Sequence, residues 1–492
     1  MELGLNYLYS ITFYVPECIA VITMAGILFL EVVYKKDDSK RVLLKMFTIL
    51  GLVLTFAALL CNLDLPTKNI FYDAIVMDRF SVLVKIIAVL ATLISYSYGL
   101  YSRDIYASLK SEFGILLVGV LIGTMLLASA NNMLTLYLGI EMLSILSYPL
   151  AAMKRVDEKS VEAGLKYALY GGLSAGIMLF GMSLIFGLLG TIQFAEIAAR
   201  IASLDVTEKV ILLPAFLFFF VGLGYKISCV PFHMWTPDVY EGSPIPVTAF
   251  FSVVPKIGGI AALVRVTTVF FSNENLIQYS WVAVLTVVAA LTMTVGNVSA
   301  LGQRSVKRML AYSSIAQIGN ILLGVLVLET IGQQAIIFYF FGYMVMTLLA
   351  FGITAVLSDQ YGNDYFDRFN GLIHRNPLMA ISLIVAMLSL AGVPPFIGFV
   401  AKFNIIAAVI KKGFFVLAIV AVLNSVVSLY YYMRLIRLVV FKMPDSNEKL
   451  FNLGLGRQAL FIVMALFLVI VGIFWEDLYK FSDITNQIKL AH

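Results

Sequence analysis

The sequence predicts an all-α polytopic membrane protein of about 14 transmembrane helices. Three observations carry this. The 492 residues are 61% hydrophobic and only 13% charged, too few charges to cover a soluble chain of this length. Apolar runs recur along the whole chain, many with the roughly 20 residues that cross about 30 Å of hydrocarbon as a helix. They are rich in Leu, Ile, Val, Phe and Gly and lack the alternation of a membrane β-barrel.

The spans fall at about 11–34, 41–61, 74–101, 112–129, 131–152, 162–189 and 208–231. They continue at about 243–271, 276–299, 306–328, 331–357, 376–410, 413–441 and 456–479. The linkers are short, and no soluble domain fits between them. The first run extends past 20 residues without a basic cluster before it, so no cleavable signal peptide is expected. Ile192–Leu204 is amphipathic and too short to span; it is expected to lie along the interface. Cys18, Cys61 and Cys229 sit in apolar surroundings without metal spacing and read as small core residues. A net charge of +5 makes no case for nucleic acid.

Lysine and arginine set the orientation. With the first inter-span loop cytoplasmic, 19 basic residues fall on that side, Lys35, Arg103, Lys154, Arg308 and Arg434 among them. Eight fall on the other. An even span count then puts both termini outside.

Seven basic residues fall inside spans: Lys45, Lys85, Lys166, Lys226, Lys256, Arg265 and Lys402. Lys45 and Arg265 lie toward span ends and are expected to snorkel. Glu141 is the clear intramembrane acid; Glu17 and Glu31 sit nearer the ends of the first span. A charge at helix centre costs about 2.5–3.5 kcal/mol on insertion scales. The central lysines outnumber the central acids, so pairing does not account for them all. An ammonium buried without a partner favours its neutral form, and such a group can take and release protons. Glu141 and Lys166 lie on adjacent antiparallel spans. At 1.5 Å per residue they differ by roughly 9 Å in depth, so coupling is expected without a permanent salt bridge.

Lys226 precedes Pro231 in GYKISCVPFHMWTPDVYEG, and Lys402 follows Pro395 in AGVPPFIGFVAKFN. Proline removes a donor and frees carbonyls. Broken helices at membrane depth are tolerated where they line a cavity or are buried in protein. Both lysines lie on the external side of their breaks in oppositely directed spans, as an inverted repeat would place them. His233 has two readings, a helix-terminus histidine bonded to backbone or a relay between Lys226 and Lys256. Metal binding is not expected there. The aromatics, including Tyr430, Tyr431 and Tyr432, read as belt or packing residues. The glycines of YGGLSAG read as close helix packing rather than a nucleotide loop.

GIEMLSILSYPLAA, EAGLKYALYGGLSAGIMLFG, GYKISCVPFHMWTPDVYEGSPIPVTAFFSVVPKIGG, VKRMLAYSSIAQIG and AGVPPFIGFVAKF together resemble the N-subunit family of bacterial respiratory complex I. This family contains antiporter-like membrane subunits of NADH–quinone oxidoreductase. The resemblance is densest from about residue 130 to 405. It implies two inverted five-helix repeats, with breaks in the seventh and twelfth helices. On it, the chain divides into three N-terminal helices (1–111), a first repeat (112–272), a second repeat (273–441) and a last helix with its tail (442–492). It implies a proton relay through Glu141, Lys166, Lys226, Lys256 and Lys402. No cofactor or metal is implied on this chain; FMN, iron–sulfur clusters and quinone belong to partner subunits. The implied partners are the antiporter-like subunit M and the small subunits A, J and K, in a bacterial inner membrane. The alternatives are a cation/proton antiporter subunit, a complex I-like enzyme with another electron donor, or a structural subunit whose lysines only pin helices.

Overall fold

The apolar runs form helices in the computed structural model, which describes residues 9–34, 38–270, 276–327, 329–443 and 453–484. After a helical stretch at residues 9–13 come α1 (Val15–Val33), α2 (Asp38–Cys61), α3 (Arg79–Tyr101), α4 (Lys110–Ala128), α5 (Met133–Ala151) and α6 (Glu158–Leu189). Next come α7 (Phe194–Ser203), α8 (Val206–Ile227), α9 (Trp235–Gly242), α10 (Ile245–Phe270), α11 (Leu276–Leu301) and α12 (Val306–Leu326). The chain ends with α13 (Thr330–Tyr361), α14 (Pro377–Ala391), α15 (Ile397–Lys411), α16 (Phe415–Phe441), α17 (Leu455–Ile473) and α18 (Trp475–Phe481). Among the described residues, thirteen helices are long and apolar enough to cross a membrane. The run at 376–410 is divided into α14 and α15, 15 residues each.

The run expected from residue 74 starts differently. Strand β1 (Lys68–Ile70) pairs antiparallel with β2 (Ile75–Met77). The Val76 amide also bonds the Ser129 carbonyl at 2.9 Å. That holds the chain extended until Asp78 caps α3, accepting from the Ser81 amide at 2.8 Å. A short polar residue at this position satisfies an amide that the first helical turn leaves unbonded.

Burial ranks the helices. Every residue in the most apolar window of α10 and of α13 is buried, against 28% in α1 and α17. So α10, α12 and α13 form the centre, and α1, α2 and α17 the rim. The periodicity of α7 explains its place: Phe194, Ile197 and Ile201 share one face and are buried. Helices α6 and α8 meet closely at Gly181, where a Cβ would collide with the Phe219 amide nitrogen and the Ala215 carbonyl. In YGGLSAG only Gly171 packs, against Tyr148, whereas Gly172 and Gly176 face open space. Of the cysteines only Cys229 is a core residue; Cys18 is half-buried and Cys61 exposed.

Two ion pairs tie neighbouring helices together, α1 to α3 and α3 to α10. Lys85 on α3 meets Glu17 in the first turn of α1 at 2.6 Å, both side chains fully buried. An acid there also complements the positive end of the helix dipole. Arg265 does not snorkel: it bonds both oxygens of Asp78, at 2.8 and 3.2 Å, and the Ala128 carbonyl at 2.6 Å. The capping carboxylate of α3 therefore also anchors α10. A bidentate guanidinium pair is among the stronger contacts available to a carboxylate.

Removing one member of a buried pair leaves an uncompensated charge, at a cost of about 3–5 kcal/mol. Glu17→Leu and Lys85→Met are each expected to lower thermal stability in detergent by that order. The double variant recovers most of the loss, because apolar residues of similar volume replace a buried pair at little cost. Equal, additive losses would contradict the pin.

Candidate functional site

The chain breaks between α8 and α9 and between α14 and α15 expose backbone groups, and the structure satisfies them in two different ways. Helix α8 ends at Ser228 in a left-handed conformation, φ 63°. The Cys229 amide bonds the Gly224 carbonyl at 3.0 Å, the Val230 amide bonds Thr292 Oγ1 at 3.0 Å, and the Trp235 indole bonds the Tyr225 carbonyl at 3.0 Å. Lys226 is thus released from capping duty. Its ammonium donates to Ser144 Oγ at 3.0 Å and Tyr167 Oη at 3.3 Å, and it is 1% exposed. At the second break Lys402 itself serves as the cap. It donates to the carbonyls of Leu390 and Ala391, at 3.0 and 3.1 Å, where α14 ends. A cation at a helix C-terminus meets both free carbonyls and the negative end of the dipole. The two lysines flank their breaks alike but do not have equivalent partners.

Lys256 on α10 lies between them in the buried interior. It donates to Ser314 Oγ on α12 at 2.7 Å and sits 5.4 Å over the Tyr240 ring. One turn along α12, Gln317 donates to the Leu390 carbonyl at 3.0 Å. That carbonyl is shared with Lys402. Gln317 and Lys402 thus converge on one backbone carbonyl, while Ser314, one turn before Gln317, holds Lys256. Tyr432 and Tyr431 belong to this interior rather than to a belt. Tyr432 Oη bonds Ser313 and Gln317, and Tyr431 donates to Asn297 Oδ1 at 2.9 Å.

Glu141 stands one turn before Ser144 on α5. It hydrogen-bonds Tyr137 and lies within electrostatic range of Lys226. Its Oε1 is buried without a hydrogen-bond partner. The absence of a direct Glu141–Lys166 salt bridge among the described residues agrees with their expected difference in depth. Lys166 faces a different group: it pairs with Asp238 at 2.8 Å and Glu162 at 2.6 Å. Among the described residues it forms no ion pair with Glu141. The reason is angular as well as axial, because α6 turns Lys166 toward α9 while Tyr167, the next residue, faces Lys226. His233 lies in the first break, 8% exposed, with its ring bonded to the Pro231 backbone. It is not brought into hydrogen-bond contact with Lys226 or Lys256 among the described residues, and its Nδ1 has no partner. No three His, Cys, Asp or Glu side chains converge as metal ligands among the described residues.

Sequence reasoning missed the acids opposite Lys166. Asp238 and Glu241 project from α9 and share Arg308, which is 3.1 Å from Asp238 and also bonds Glu241. Lys159 reaches Glu241 at 2.9 Å. Together these line a cleft of about 190 Å³ beside the first break. Lys307 is buried next to it and donates to the Glu241 and Ser243 carbonyls at 2.8 and 2.6 Å. The available signal was the acid pair in PDVYEG, flanking a proline-started turn. Partial burial pushes both carboxyls up. Contacts with Lys166 and Arg308 for Asp238, and with Lys159 and Arg308 for Glu241, outweigh it and hold both below their ordinary values.

The fold and this interior define a class: a polytopic helical membrane protein with cations buried at two helix breaks. The transmembrane family of NADH:quinone oxidoreductases and Mrp antiporters matches residues 130–428. A relative from Sorangium cellulosum, NADH-quinone oxidoreductase subunit N 2, is 39% identical, with 96% of each chain covered. A chain in respiratory complex I from Thermus thermophilus is 31% identical, with a TM-score of 0.79 over 94% of this chain and 98% of that one. A chain of the Mrp complex from Dietzia shares the fold, with a TM-score of 0.82 at 23% identity over 96% of this chain and 97% of that one. The chain belongs to the NADH:quinone oxidoreductase/Mrp antiporter transmembrane family, among the N-type subunits of NADH-quinone oxidoreductase.

The depressed carboxyls set a pH dependence. Their stabilising contribution is complete above the ordinary value of about 4 and is lost as pH falls through the lower folded values. Amide exchange across 235–242, corrected for intrinsic rates, is expected to stay slow down to about pH 5 and to rise below about pH 4. Asp238→Asn is expected to raise exchange there already at neutral pH. A pH-independent profile would show that these pairs do not brace α9.

Proposed function

We propose that this chain is a proton-translocating membrane-arm subunit of an NADH–quinone oxidoreductase. The single observation that carries the reading is the buried succession Glu141, Lys226, Lys256 and Lys402 beside two helix breaks. It supports a relay in three steps. First, a charge displacement arriving from the neighbouring membrane-arm subunit acts on Glu141. Second, Glu141 changes how favourably Lys226 holds its proton. Third, the proton passes to Lys256 and then toward Lys402. Moving one charge across the membrane field costs about 2.3 kcal/mol per 100 mV, and each unit of change in proton affinity supplies about 1.36 kcal/mol. A swing of a few units is therefore of matching size.

Lys166 enters this reading at the cytoplasmic cleft. There the ion pairs with Asp238 and Glu162 stand where a proton would be taken up, two turns from the level of Glu141. His233 has the role of a backbone-bonded histidine that shapes the break. The two helix groups, 112–272 and 273–441, are read as inverted repeats, with 1–111 and 442–492 flanking them. The partners on this reading are the antiporter-like subunit M and the small subunits A, J and K. Flavin, iron–sulfur clusters and the quinone are theirs or lie beyond them. The membrane is a bacterial inner membrane, and the Lys/Arg bias puts both termini outside.

Lys226→Ala and Glu141→Ala are each expected to cut quinone-coupled proton pumping by more than half in membranes with the complex assembled. Lys166→Ala is expected to cut it less. Normal pumping in both of the first two variants would sink the relay and leave the lysines as helix pins. Purification without flavin and iron–sulfur subunits would instead favour the antiporter reading.

A further inference from the structure

A cavity lies away from the relay, at the basic end of α1 to α4. It measures about 570 Å³, within the range of pockets that hold small ligands, about 300–1,000 Å³. Four cationic side chains line it, Lys40, Arg41, Lys45 and Lys110, against one acid, Glu31. Glu31 is already engaged, since Lys40 donates to its carboxylate at 3.0 Å and its carbonyl at 2.7 Å. Arg41 and Lys45 lie within electrostatic range of Lys110, as does the acid Asp359 outside the lining. Asp359 is held by Ser102 Oγ and the Arg103 amide at 3.1 and 3.0 Å. The Tyr101 ring carries two cations, Lys45 and Arg457, each 5.4 Å from its centre. Ser108 and Ser111 add hydroxyls at the start of α4, where backbone amides also favour an anion.

Ile27, Leu44 and Leu100 supply apolar wall, with Thr48 and Tyr96 beside them. The helices that form the outer wall, α1 and α2, are among the least covered in the protein. Val42 and Met46 present 56% and 64% of their surface beside the pocket. The site thus has cations and hydroxyls at a helix-end level and a hydrocarbon surface leading away from it. Basic pockets between membrane helices on the cytoplasmic side recognise lipid phosphates. A soluble anion would use the cations but not the apolar flank.

We propose that this cavity binds the headgroup of an anionic phospholipid, with its phosphate between Lys45 and Lys110 and its acyl chains along α1 and α2. The lipid relieves the mutual repulsion of the cations and covers the weakly packed N-terminal pair of helices.

The test is native mass spectrometry of the full chain released from nanodiscs of phosphatidylglycerol or of phosphatidylcholine. The wild type is expected to retain phosphatidylglycerol selectively. Lys45→Gln is expected to weaken that retention about fivefold and Lys45→Gln/Lys110→Gln about twenty-fivefold, at about fivefold per cation. The charge-preserving pair Lys45→Arg/Lys110→Arg keeps it, which separates recognition from misfolding. Arg155→Gln, an exposed cation outside the pocket, leaves it unchanged. Equal retention of the two lipids, or no change in the single and double glutamine variants, overturns the proposal. Displacement of the lipid by millimolar inorganic phosphate overturns it in favour of a soluble-anion site, and cross-linking of position 45 to a polypeptide in the assembled complex overturns it in favour of a protein contact.

Discussion

The structure turns on how backbone groups are satisfied where two helices stop inside the protein. Each stop frees carbonyls and amides that hydrocarbon cannot bond. At the first, Thr292, the Trp235 indole and local turns take up these groups. The nearby lysine is then left to hydroxyls, Ser144 and Tyr167. At the second, the lysine is itself the donor to two carbonyls. One buried ammonium is held by weak, exchangeable partners, and the other by a helix terminus. That difference in partners, more than the lysines themselves, distinguishes the two ends of the row.

Around this interior the protein uses charge in three further ways. Two pairs, Glu17 with Lys85 and Asp78 with Arg265, hold α1 to α3 and α3 to α10. Such pairs give registry more than net stability, because desolvation offsets most of their attraction. The half-exposed network of Lys159, Lys166, Asp238, Glu241 and Arg308 braces α9 at the cleft. Here several acids and bases share partners, so a change at one alters the others. The cavity at α1 to α4 has an excess of cations over acids in its lining.

The comparisons and the physics meet at different levels. Family membership rests on 39% identity across nearly the whole chain and on a family match that covers residues 130–428. The fold is shared with an Mrp chain at only 23% identity, so the architecture alone does not choose between antiporter and respiratory roles.

Helix class, approximate span positions, the two breaks and the buried lysines were legible in the sequence. Hydrocarbon thickness dictates run length, and proline and lysine inside such runs stand out by their cost. The chain alone also marked Ile192–Leu204 as amphipathic, and α7 buries that face. Partner choice was not legible. Axial spacing separated Glu141 from Lys166 in depth, but it could not show that rotation of α6 about its own axis gives Lys166 to Asp238 and Tyr167 to Lys226. Arg265 read as a snorkelling cation until folding brought Asp78, 187 residues away, to meet it. Tyr431 and Tyr432 read as packing until the interior supplied Asn297, Ser313 and Gln317. Which residues are costly to bury follows from composition and period; which groups offset that cost depends on helix rotation and long-range packing, and those exist only in the tertiary structure.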